Sequence, residues 1–133
     1  MRSDTQAITI GSTPEGVLGF IADPENLPRW AIGFAKAARR DGSNWIVETG
    51  QAPVPVRIEA DTRTGVVDFH MRIQPDAEVT AFSRVTPNGA GTEYVFTQVQ
   101  APDMPSEVFE AQVRALGHEL TALKAILEVD CPL

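Results

Sequence analysis

The sequence predicts an α+β fold in which a curved antiparallel sheet wraps around one long C-terminal helix. Phe109, Val113, Leu116, Leu120, Leu123 and Leu127 recur at alternating spacings of four and three residues, a single apolar stripe on a helix. Between residues 34 and 101, turn-forming clusters recur about every 8 to 14 residues, the rhythm of an antiparallel meander. Residues 54–60 and 66–73 alternate apolar with polar, so the sheet has one buried face and one wet face. A helix of twenty-odd residues is on the order of 33 Å long and its stripe needs an equally long apolar partner. The alternating sheet is the only candidate in the chain.

The elements follow in order. Residues 5–10 form a short strand that Gly11 ends. Ser12-Thr13-Pro14-Glu15 opens a helix, with a hydroxyl cap, an early proline and Glu15 placed three after Ser12 for a capping box. Val17, Leu18, Phe20 and Ile21 give it an apolar side, while Gly16 and Gly19 leave its stability to packing. Asp23-Pro24-Glu25-Asn26 is a second helix start. Pro28 follows so closely that this helix runs for about one turn, ending near Trp30 with Gly33 at the exit.

Six further strands fit residues 35–40, 45–49, 54–60, 66–73, 78–86 and 92–100, seven with the first. In the third of these six, Val54, Val56, Ile58 and Ala60 oppose Pro55, Arg57 and Glu59. In the fourth, Val67, Phe69, Met71 and Ile73 oppose Asp68, His70 and Arg72. In 92–100, Tyr94, Phe96 and Gln98 alternate with Val95, Thr97 and Val99, and either set fits inward. The long helix spans 106–128, supported by Ala111, Ala115, Ala122 and Ala125. A two-stranded coiled coil is the competing reading of its stripe. The stripe covers only about three heptads and lacks paired flanking charges, which favours the sheet.

With 133 residues, 43% of them apolar, the chain fits one domain over 1–133 that needs no metal or disulfide to hold it. Eleven basic and 18 acidic side chains give a net charge of −7, which repels phosphate backbones and anionic lipid; nucleic acid is not expected as a partner. The one cysteine, Cys131, has no partner within the chain. Met1-Arg2-Ser3-Asp4-Thr5-Gln6 has no apolar core of the signal-peptide kind, and no apolar run reaches the length of a membrane span. A cytoplasmic location is the expectation. There is no glycine-rich phosphate loop, no His or Cys spacing for zinc or a Rieske cluster, and no Gly-x-Ser-x-Gly elbow, so neither cofactor nor metal is expected.

The order of strand, two short helices, six strands and long helix resembles the helix-grip fold of the START-like, or SRPBCC, superfamily, which includes polyketide cyclase/dehydrase-like proteins. The resemblance covers essentially the whole chain. It is carried by Ser12-Thr13-Pro14-Glu15-Gly16-Val17, by Ile21-Ala22-Asp23-Pro24-Glu25-Asn26-Leu27-Pro28-Arg29-Trp30, and by Leu120-Thr121-Ala122-Leu123-Lys124 near the helix end. It implies a cavity between sheet and helix, opening near the short helices. Trp30 and Phe34 are expected at its mouth, Phe69, Met71, Phe82 and Phe96 on the sheet, and Phe109, Val113 and Leu116 on the helix. Gln98 or Thr97 supplies an inward polar group that orients a mostly apolar molecule. Tyr94 could do the same or lie at the rim.

The function expected is therefore binding of a small hydrophobic molecule. The alternative is an enzyme of the polyketide cyclase/dehydrase type. Asp68, His70 and Arg72, two residues apart on one strand face, would be its acid–base groups. Their phase, opposite the apolar face, favours an outer charged stripe instead, and His118 and Glu119 are both read as solvent-facing on the helix. A third reading is an interaction module that uses the exposed sheet face or forms a homodimer.

Overall fold

The computed structural model describes residues 1–133. Strands β1 (Ser3–Ile10), β2 (Ala37–Asp41), β3 (Asn44–Glu48), β4 (Val54–Ala60), β5 (Val66–Gln74), β6 (Ala77–Asn88) and β7 (Gly91–Val99) form one antiparallel sheet in the order β1-β7-β6-β5-β4-β3-β2. Helices α1 (Pro14–Ile21) and α2 (Leu27–Trp30) lie between β1 and β2, and α3 (Ser106–Asp130) closes the chain. This is the helix-grip arrangement expected from the sequence. No helix is long and apolar enough to cross a membrane.

Local chemistry explains the short elements. Thr13, rather than Ser12, caps α1, its Oγ1 accepting the Gly16 N–H at 3.2 Å. Ser12 is buried and its hydroxyl donates to the Leu127 carbonyl at 3.0 Å, so the hydroxyl read as a cap instead ties α1's entry to α3. Asp23 caps a 3-10 turn at Pro24–Asn26 through the Glu25 N–H at 3.0 Å, and α2 follows for one turn. Gly65, before β5, has φ +81°, and a Cβ there would fall on the Val85 carbonyl oxygen. Only glycine fits both the turn and that close strand approach.

The core lies between the sheet's concave face and α3. Leu116, Leu120, Leu123 and Leu127 are buried against Val17, Ile21, Val47, Val56, Val67 and Tyr94. Tyr94 resolves the ambiguity of β7: its ring points inward and its hydroxyl donates to Ser83 Oγ at 2.9 Å, which donates to the Val67 carbonyl at 2.6 Å. Burial pushes the Tyr94 phenol well above its ordinary range, with the Ser83 hydrogen bond a smaller opposing effect. The C-terminal half of α3 is bound polarly to the end of β1. Lys124 Nζ donates to the Thr9 carbonyl at 2.6 Å, and Glu128 Oε2 accepts the Gly11 N–H at 2.7 Å. The N-terminal half has fewer ties, chiefly Gln6 Nε2 donating to the Val113 carbonyl at 2.9 Å.

Candidate functional site

The concave face and α3 do not meet everywhere. A cavity of about 210 Å³ remains where α2, the 31–35 bend, strands β4 to β7 and the N-terminal half of α3 converge. Its aromatic lining is continuous: Trp30 meets Phe69 edge to face at 6.2 Å, and Phe69 meets Phe96 at 5.7 Å. Phe34 and Met71 complete the apolar wall, with Leu116 closing it from the helix side. These positions follow from strand phase, since Val56, Phe69, Met71 and Phe96 occupy inward registers on paired strands.

Two polar features are built into this wall. The Trp30 ring is almost fully buried and its Nε1–H has no hydrogen-bond partner. A buried donor without a partner is costly, and an ordered water is one way to complete such a bond. Glu119, expected to face solvent, is only 9% exposed and lines the cavity. Its Oε2 accepts the Gly33 N–H at 3.0 Å. Burial pushes its carboxyl up to about 7, against the opposing pull of the Gly33 and Phe34 backbone N–H groups. It is the only ionisable side chain among the lining residues. Glu119 stands about 60° around the helix from Leu116. The curved sheet and α2 embrace an arc of α3 wider than its leucine stripe, and this is why a charged position ends up enclosed.

Other expected residues lie elsewhere. Phe82 is 49% exposed on the outer face of β6, because its neighbours Ala81 and Ser83 take the inward positions. Phe109 is buried but not at the cavity wall; the Arg2 guanidinium covers its ring at 5.2 Å. Val113 is half-buried and also outside the wall. Gln98 does line the cavity, its Nε2 donating to the Gln112 carbonyl at 3.3 Å, while Thr97 faces out and shares a hydrogen bond with Thr5. Tyr94 is fully buried in the core, away from the rim.

Asp68, His70 and Arg72 lie on the outer face of β5, across the sheet from the cavity. His70 Nδ1 is 2.9 Å from Thr80 Oγ1 and Nε2 is 3.2 Å from Glu59, while Arg72 pairs with Glu78 at 3.3 Å. Glu59, Asp68 and His70 are the one grouping whose donor atoms, within 4.8 Å of one another, have the spacing of metal ligands. As acid–base groups for a molecule in the cavity, the trio has no geometry. His118 is exposed on α3, as its position off the stripe requires.

The family described as "Polyketide cyclase / dehydrase and lipid transport" matches residues 1–128. The chain belongs to this family. Three solved structures share the fold. A START superfamily protein from Mycobacterium smegmatis is 16% identical with a TM-score of 0.72, covering 95% of this chain and 97% of its own. The Aha1 protein of Colwellia psychrerythraea, solved as a dimer, is 14% identical with a TM-score of 0.76, covering 97% of this chain and 98% of its own. The di-domain ARO/CYC protein BexL of the BE-7585A biosynthetic pathway is 20% identical with a TM-score of 0.75; it covers 98% of this chain, which spans 48% of BexL. At these identities the likeness is one of fold. No curated protein matches the sequence.

Proposed function

We propose that this member of the polyketide cyclase/dehydrase and lipid transport family binds a small, mostly apolar molecule between its sheet and α3. The observation that carries this is the cavity itself: 16 of its 21 lining residues are hydrophobic. Such a wall gains by exchanging water for apolar surface, while a few polar groups fix orientation. Gln98 and Glu119 are those groups.

The test is a fluorescence titration with N-phenyl-1-naphthylamine, an uncharged apolar fluorophore. Saturable one-to-one binding is expected in the native chain. Met71→Trp, which pushes an indole into the cavity from a half-buried strand position, is expected to abolish it while leaving the circular dichroism spectrum native. Equal binding by both proteins would mean that the dye sits elsewhere, and the reading would fail.

A further inference from the structure

We propose that the cavity is built for a hydrophobic cation: a molecule whose protonated amine or quaternary ammonium head lies beside Glu119 and whose apolar body lies among Trp30, Phe34, Phe69 and Phe96. This rests on the reading that the cavity holds a small apolar molecule, and it adds the sign of that molecule's charge.

The first argument is the isolation of the Glu119 carboxyl. Each element facing it is uncharged at the cavity wall. The short helix α2 presents Leu27 and Trp30, and the bend presents Ala31, Gly33 and Phe34. The sheet contributes no ionisable side chain, and the 101–104 loop contributes Ala101 and Met104. Along α3 itself, Gln112, Ala115 and Leu116 share the wall. The charged residues on these segments turn elsewhere. Lys36, Asp103, Arg114 and His118 are exposed, and Arg29 is engaged by Asp130 at 2.9 Å and by the Phe20 ring at 5.2 Å. A carboxylate taken out of water wants a cation or several hydrogen-bond donors. The chain supplies backbone N–H groups from one side and no cation.

The second argument is the company this carboxyl keeps. Aromatic rings present negative faces that attract ammonium groups, and the interaction strengthens where water is excluded. A ring cluster plus one unpaired carboxylate is the combination that recognises an ammonium head on an apolar body. The same wall disfavours the opposite sign. With no Lys, Arg or His lining it, the cavity offers nothing to neutralise a fatty acid carboxylate or a phosphate.

The test uses two naphthylethyl probes of one shape, a permanent trimethylammonium cation and its neutral tert-butyl isostere. Neither titrates, so any pH profile belongs to the protein. With Glu119 titrating at about 7, the cation is expected to bind about tenfold or more tightly at pH 8.5 than at pH 5.5. The isostere should lose nothing as pH falls. Glu119→Gln keeps an acceptor for the Gly33 N–H. It should flatten the cation's profile and weaken its binding about tenfold at pH 8.5, while retained binding of the isostere reports an intact cavity. A cation affinity that does not change with pH, or a cation that fails to bind where the isostere does, overturns this inference alone. Binding of neither probe to the native chain overturns it together with the reading of the cavity.

Discussion

Glu119 also makes a prediction about folding that needs no ligand. In an unfolded chain its carboxyl titrates at about 4.5, and in the folded chain at about 7. Between those values the folded state holds a proton that the unfolded state has released. Stability contributed by this group is therefore fully present below about pH 4.5 and is lost as pH rises through about 7. At about 1.4 kcal/mol per pH unit, the loss amounts to about 3 kcal/mol. Glu119→Gln cannot ionise and escapes it. Measured by urea unfolding, the stability of Glu119→Gln relative to the native chain should rise by about 3 kcal/mol from pH 4.5 to pH 8. Other carboxylates titrate in both proteins, so their effects cancel in the difference. A gap between the two proteins that stays constant within about 0.5 kcal/mol over this range would show that the carboxyl is not enclosed as described, since surface groups change stability by no more than that.

Three further outcomes are expected. Gly65→Ala forces a Cβ onto the Val85 carbonyl at φ +81° and should destabilise by about 3 kcal/mol or more, read as a fall in the urea midpoint. Tyr94→Phe removes the hydroxyl that donates to Ser83 and should cost about 1 kcal/mol in the same assay, with far-UV circular dichroism unchanged. Phe82→Thr, on the wet face, should leave N-phenyl-1-naphthylamine affinity unchanged in the fluorescence titration and change stability by less than about 1 kcal/mol.

Element order and strand phase were legible because each is a local signal. The 4–3 stripe on α3 and the alternation in 54–60 and 66–73 state which side chains point inward before any contact is known. The misplacements have different causes. At Phe82 the apolar ring suggests the cavity while the strand's phase opposes it, since Glu78 and Arg84 in the same register face water. Glu119 is a different case. The enclosure of its flank depends on how far the sheet curls and where α2 docks, and neither is a property of α3's own residues. Phe109 illustrates the same limit: the stripe predicts its burial, but not that Arg2 would cover it outside the cavity. Ser12 is legible as a hydroxyl at a helix entry. Its partner on α3 is 115 positions away, beyond any local rule.

The unequal anchoring of α3 has a consequence for change over time. From Leu120 onward the helix is tied to β1 through Lys124, and to the turn after β1 through Leu127 and Glu128. Toward Ser106 its polar ties are Gln6 and Gln98 on the Val113 and Gln112 carbonyls and an exposed Arg2–Glu110 pair, and it begins at Pro105 without a side-chain cap. The stretch with the fewer polar ties is the one that walls the cavity. The α3 residues that wall the cavity and those that tie the helix to the end of β1 thus sit largely on opposite halves of one helix. Substitution at Gln112, Ala115 or Leu116 would reshape the cavity wall while the tied half is left untouched.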